Sequence, residues 1–405
     1  MAGRLQVPEG VDVLEAHPPV ADPDIEASFA STASVDTERL TDAGLAPGPS
    51  AGSPSLFKRI RVHNLVVDRI RAFLREEGYV EIPVPELTPA TGSCEVVDSM
   101  FSLDYFGALA FPRQTGQLYL EEVAAGGLDA VYCEGESLRK EWKVDDRHLT
   151  EFKLIEIEKR DMSLDELCDF EEKLLKDVAS VLTPEDVGEH NIDRLDHMVS
   201  REHPRISYRE AIAVLNGLGF DRRFGDDLGR AEEAALIDYL GGLPVHVTHF
   251  PESLKFFNMK IERRDPEVVE CVDYILPVSG ETFGGSLREP DVEILRRRLY
   301  TGTMYGHLMN RAAEFARFRV LTDPGSFAGK SGEELASLYQ RGIEKSFESY
   351  LTLFAECPTE RAGFGLGVAR LLQCFLGLAS IKDAVVFPMD RTRFGGLRQS
   401  VEVAA

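Results

Sequence analysis

Residues 131–158, VYCEGESLRKEWKVDDRHLTEFKLIEIE, constrain this chain most, because they read as strand, charged loop and strand. The second arm alternates. Phe152, Leu154, Glu156 and Glu158 share one face, and Glu151, Lys153, Ile155 and Ile157 share the other. One face of a half-buried strand therefore mixes an aromatic ring with carboxylates. The first arm runs out through Arg139 and Glu141, and the loop holds Lys143, Asp145, Asp146, Arg147 and His148. Taken alone, the pattern suits two descriptions. One is a solvated ribbon laced with salt bridges. The other is an anion site with a flat apolar shelf beside it, which is the pairing a nucleotide requires. The rest of the chain decides between them.

Composition narrows the field. A chain of 405 residues with 43% hydrophobic content suits one large domain with an appendage, or two domains. The net charge of -24 argues against an extensive grip on RNA or DNA, where neutralising phosphates takes a basic face. It suits an enzyme of small molecules. Six cysteines without a CxxC pair predict free thiols in a reducing cytoplasmic setting and no structural zinc site. His246 and His249 form a lone HxxH at a strand end, with an expected structural role. No apolar run approaches the ~20 residues of a membrane span. The first residues also lack the apolar region of a secretory leader.

Along the chain, residues 1–55 are rich in Pro, Ala, Gly, Ser, Asp and Thr, which predicts a disordered or loosely docked tail. From residue 56, Val62, Val66, Ile70 and Phe73 recur at helical spacing, with Leu65 beside them and Gly78 as the stop. Val80, Ile82 and Val84 follow as a strand whose Pro83 and Pro85 confine it to a sheet edge or a dimer interface. Gln114–Gln117 form a polar turn into a helix. Ser163 and Glu166 form a capping box that opens a helix to about Leu182, with Leu167, Phe170, Leu174, Val178 and Val181 inward. Residues 183–245 and 290–345 read as helical insertions. Residues 254–262 read as a strand, and the arginines 296–298 as a solvated helix face. Asp273 and Glu281 both precede a predicted turn at Phe283–Ser286, and such carboxylates suit Mg²⁺ shared with phosphates. Gly363, Gly365 and Gly367 strip one face of a strand ahead of an apolar helix that carries Arg370. Their spacing is not that of a dinucleotide-binding loop.

Three elements now stand in order: helix and strand with Pro85, the hairpin with Arg139 and RHLTEF, and GFGLGVAR. Together with VDYILPVSGETFGGSLRE, YREAIAVL and FGDDLG, they resemble the class II aminoacyl-tRNA synthetases, asparaginyl/aspartyl group, over roughly residues 56–390. The resemblance implies an α+β fold with an antiparallel sheet flanked by helices, and residues 56–405 as one catalytic domain. It implies that Arg139 contacts the α-phosphate of ATP and the amino-acid carboxylate. Phe152 would stack on adenine beside Glu141, and Arg147 and His148 would cover the outer phosphates. Gly365 and Gly367 would floor the ATP site, Arg370 would cap the γ-phosphate, and Asp273 and Glu281 would hold Mg²⁺. Arg139 and Arg370 are thus the expected catalytic pair. Gln117, Glu121 and Arg288 would bind the amino acid. Leu120 stands where aspartyl enzymes place a lysine, which favours asparagine over aspartate.

The sequence also departs from the family pattern. Residues 1–55 are too short and polar for the anticodon-binding barrel. Ala369 replaces an acid, Met389 an arginine, and residues 354–357 an Arg-Arg-Tyr-Gly-like stretch. The expected activity is aminoacyl-adenylate formation by a homodimeric cytoplasmic ligase, with transfer to a small amine, ammonia or a carrier. A truncated asparagine–tRNA ligase touching the acceptor end of tRNA, and a non-catalytic binding paralogue, are the alternatives.

Overall fold

The structure, a computed structural model, describes residues 54–90, 99–322 and 329–392. The expected tail lies outside the described residues up to residue 53. Helix α1 (Leu56–Glu76) is capped by Ser55, buries Val62, Val66, Ile70 and Phe73, and stops ahead of Gly78, whose φ is 81°. Val67 is buried as well, while Leu65 is only half-buried. Strand β1 (Val80–Glu81) is short and lies at a sheet edge, as two nearby prolines require. Strands β2 (Leu87–Thr88), β3 (Leu103–Tyr105) and β4 (Ala108–Pro112) form a separate small sheet. Helix α2 (Gln117–Ala125) leads to the hairpin of β5 (Ala130–Leu138) and β6 (Glu151–Arg160), paired from Ala130 opposite Lys159 to Leu138 opposite Glu151.

The capping box at Ser163 starts α3 (Leu164–Ser180). Val181 falls at its C-cap and is exposed, so the expected inward face ends one turn earlier. The first insertion contains α4 (Pro184–Val187), α5 (Glu189–Val199), β7 (Arg205–Ser207), α6 (Tyr208–Gly217) and α7 (Arg230–Tyr239). Strands β8 (Val245–Thr248), β9 (Cys271–Leu276) and β10 (Gly280–Leu287) follow. Then come α8 (Val292–Thr301), α9 (Thr303–Thr322), α10 (Gly332–Glu356), β11 (Arg361–Gly367) and α11 (Val368–Leu376). The large sheet runs β1-β5-β6-β11-β10-β9-β8-β7 and is antiparallel except at its two ends. This is the expected α+β architecture.

Three expectations change. Residues 254–262 form a 3-10 turn and isolated bridges rather than a strand. A strand would send Phe256 and Phe257 to opposite faces, yet both enter the same apolar cluster against α8–α10. Phe283–Ser286 is the interior of β10, and the turn falls earlier, at Val278 and Gly280 with φ of 75° and 76°. Arg298 is not solvated. It is buried and donates to Phe257 and Met259 carbonyls and to Glu252. The second insertion also runs on, since α10 ends at Glu356.

One face of the sheet packs on α1, α3 and α11. Ile155, Ile157, Tyr274, Phe283 and Phe364 meet Phe73, Phe170, Leu174 and Phe375 there. Each such large side chain contributes about 1.5–3 kcal/mol on burial. That rigid backing frees the other face of β6, β11 and β10 for polar groups.

Candidate active site

The open face is bare at its centre. Gly363 and Gly365 of β11 lie opposite Glu158 and Glu156 of β6, and Gly284 of β10 lies opposite Gly365. A Cβ at Gly363 would strike the Glu158 carboxylate and the Ile157 carbonyl. Without side chains there, a cavity of about 600 Å³ opens over the strands. Glu156 shapes its rim by accepting from Thr115 and, at 2.7 Å, from the Gly116 N–H, which anchors the N-terminus of α2 and sets Gln117 at the cavity wall.

The hairpin forms the mouth. Arg139 follows β5, with its guanidinium carbon 5.1 Å from the Phe152 ring centroid, a cation–π distance. The loop folds on Asp145, which accepts the N–H groups of Arg147 and His148 at 2.9 and 3.0 Å and lies 2.7 Å from His148 Nδ1. Arg147 crosses to α7 and pairs with Glu233. Burial pushes the Glu233 carboxyl up, and Arg147 partly offsets this. Arg370 of α11 donates to the Glu281 carbonyl, and its Nη1 lies 3.7 Å from a Glu281 carboxylate oxygen. Asp273 receives Lys255 Nζ at 2.9 Å on each oxygen.

The far end is different. Glu121 and Glu158 are fully buried, and Arg288 and Arg361 nearly so. Glu121 accepts from Arg361, from Tyr350 Oη at 2.7 Å and from Asn258 Nδ2 at 2.7 Å. Glu158 accepts from Gln117 Nε2 at 2.6 Å and Arg288 Nε at 3.3 Å, with Arg361 Nε 3.6 Å away. Arg361 also lies over the Phe354 ring at 3.8 Å. Two cations thus balance two carboxylates, which is how a low-dielectric interior tolerates four charges. Burial still pushes the Glu158 carboxyl up to about 7, helped by the Glu121 charge and opposed by the two arginines.

Arg139, Glu141, Arg147, His148, Phe152, Gly365, Gly367, Arg370, Gln117, Arg288, Asp273 and Glu281 all line this one cavity. Glu121 stands behind it and acts through Asn258. Sequence reasoning missed Lys255, Asn258, Glu233, Tyr350 and Arg361. Only a buried cation needing buried partners could have pointed to Arg361, and that is invisible in one dimension. Of the departures, Ala369 lines the cavity, and the Met389 carbonyl accepts the Thr150 N–H, so its backbone closes the hairpin.

The family model for tRNA synthetases class II (D, K and N) matches residues 51–391. An asparagine–tRNA ligase of Pelotomaculum thermopropionicum is 30% identical over 334 residues, covering 81% of this chain and 68% of its own length. The mouse asparaginyl-tRNA synthetase is 30% identical over 356 residues, covering 81% and 66%. Among solved structures, asparaginyl-tRNA synthetase from Pyrococcus horikoshii complexed with asparaginyl-adenylate superposes with a TM-score of 0.69 at 30% identity, over 84% of this chain and 69% of that one. The order of the strands, the glycine-stripped floor and these matches together place the chain in the class II tRNA synthetase family (D, K and N).

Proposed function

We propose that this chain condenses asparagine with ATP to give asparaginyl-adenylate and pyrophosphate. The single observation that carries the reading is the shared cavity of Arg139, Phe152, Arg370, Gln117 and Arg288, which joins a nucleotide end to an amino-acid end. The asparagine carboxylate oxygen attacks the α-phosphorus in line. A new P–O bond forms, the bond to the β-phosphate breaks, and pyrophosphate leaves with that electron pair. Arg139 sits between the two reactants and steadies charge on both, while Phe152 holds the base. Arg147, His148 and Arg370 neutralise the outer phosphates. Such chemistry depends on positioning and charge rather than on a protein nucleophile. Asp273 and Glu281 are hard oxygen donors on the cavity wall and would hold Mg²⁺ once Lys255 turns away from Asp273; the ion would supply further neutralisation of the triphosphate.

The preference for an amide rests on Asn258. Glu121 is an acceptor, so Asn258 must donate to it through Nδ2. That leaves Oδ1, buried and without a hydrogen-bond partner among the described residues, as a spare acceptor on a residue that lines the cavity. The substrate amide N–H donates to it, and Arg288 donates to the amide carbonyl. A carboxylate in the same place would meet Asn258 Oδ1 oxygen to oxygen.

The acyl group then passes to a small amine, ammonia or a carrier. The net charge of -24 supports this over tRNA. The asparagine–tRNA ligase relatives favour a second reading, an asparagine–tRNA ligase acting on the acceptor end. Exchange of labelled pyrophosphate into ATP across the twenty amino acids tests activation, with asparagine expected to be strongest. Efficient charging of unmodified tRNA would overturn the small-acceptor reading.

A further inference from the structure

A second polar cluster lies on the other side of the sheet. His246 of β8 sits opposite Tyr274 of β9, and their rings stack with centroids 3.8 Å apart and planes 3° from parallel. Tyr274 belongs to the apolar core, whereas its neighbour Asp273 lines the cavity. His246 is therefore separated from the cavity by the sheet itself. Cys168 and Glu171 of α3, three residues apart on one helical face, point at the same spot. A Cys168 sulfur, a Glu171 oxygen and a His246 nitrogen all lie within 4.8 Å of one another. Glu171 Oε2 and His246 Nε2 are 3.5 Å apart.

All three residues are buried, at 1%, 0% and 0% exposure. Neither oxygen of Glu171 and neither ring nitrogen of His246 has a hydrogen-bond partner. Buried polar groups are rarely left so, and four orphaned atoms in one place ask for something that binds them all. A direct Glu171–His246 hydrogen bond would serve two of the four and leave the cysteine unused.

We propose that Cys168, Glu171 and His246 bind one zinc ion that ties helix α3 to strand β8. The donor set selects the metal: thiolate and imidazole suit zinc and not magnesium or calcium, and three protein ligands leave one tetrahedral position for a water. Charge selects it too. The dication, one thiolate and one carboxylate sum to zero, which a buried site with a single water tolerates. As the metal bonds form, the thiol and the carboxylic acid each release one proton. Burial already holds His246 neutral, so its nitrogen lone pair is free to bind. The missing CxxC pair hid this site, because its ligands come from i and i+3 of a helix and from a strand far along the chain. The inference stands apart from the adenylate reading.

The test is metal content and a cysteine-specific spectrum on the full chain. Protein purified from zinc-supplemented culture should carry about one zinc per chain, falling to ~0.1 or below in Cys168→Ser and in His246→Phe, which keeps a ring stacked on Tyr274. Refolding the metal-stripped wild type with cobalt(II) should give a thiolate-to-cobalt charge-transfer band that Cys168→Ser lacks. If His246→Phe fails to fold, the wild-type cobalt spectrum decides. Wild type with no zinc and no cobalt band overturns the proposal. So does undiminished zinc in Cys168→Ser, which would place the ion elsewhere, and so does a crystal structure with an ordered water bridging Glu171 and His246.

Discussion

The two ends of the cavity hold similar charges by opposite means. At the mouth, Arg139, Arg147 and His148 are partly exposed and belong to one hairpin and its loop, with partners a few residues away or on α7. At the far end, Glu121, Glu158, Arg288 and Arg361 are buried and reach across the whole chain. The mouth can let its cations turn towards a ligand, because water shares their solvation. The far end cannot, because removing one member leaves another charge dry. The mouth should therefore respond to mutation through catalysis, and the far end through stability and selectivity.

Four measurements sharpen or break that contrast. Arg361→Ala should cost about 3–5 kcal/mol of stability in a denaturant titration, since Glu121 loses its paired cation in the core. A variant that unfolds like wild type would collapse the distinction between the two ends. Arg139→Ala should lower pyrophosphate exchange about 10²–10³-fold with little change in unfolding midpoint, as loss of a charge stabiliser at the reacting centre does. Asn258→Ala should raise the KM for asparagine roughly 10-fold with kcat nearly kept, and should narrow the asparagine-to-aspartate preference. An unchanged preference would remove Asn258 from the amide reading.

The fourth measurement concerns pH. The Glu158 carboxyl is raised from its ordinary 4.5 to about 7 in the folded chain. A raised carboxyl binds its proton more tightly when folded, so its contribution is full below pH 4.5 and declines as pH rises to about 7. Glu158→Gln should flatten that part of the melting profile. A wild-type slope retained in the variant would assign the titration elsewhere.

The same contrast explains what the sequence could reveal. The hairpin was legible because alternation in 151–158 and the charged loop are local patterns, and the observed register of β5 on β6 follows them. The glycines of β11 were legible because their spacing of two marks one face of a strand. Asn258 was hidden, since 254–262 looked like a strand until Phe256 and Phe257 both turned to the helical cluster. Arg361 and Tyr350 were hidden for a different reason: their meaning lies in partners far away. Arg298 was misplaced by the same blindness, a cation on a helix that happens to face carbonyl groups of a distant turn.

The span between Glu121 and Arg361 has a consequence for how the chain is made. These partners are 240 residues apart; Glu158, Asn258 and Arg288 join them from points between, and Gln117 from just ahead of Glu121. During synthesis the hairpin can pair early, but the carboxylates of 121 and 158 wait for Arg288 and then Arg361. Until then they cannot be enclosed without cost. The far end of the cavity is thus among the last features to close, after slow, long-range contacts have formed. A nascent chain halted before β11 would hold a formed hairpin beside carboxylates that still need water.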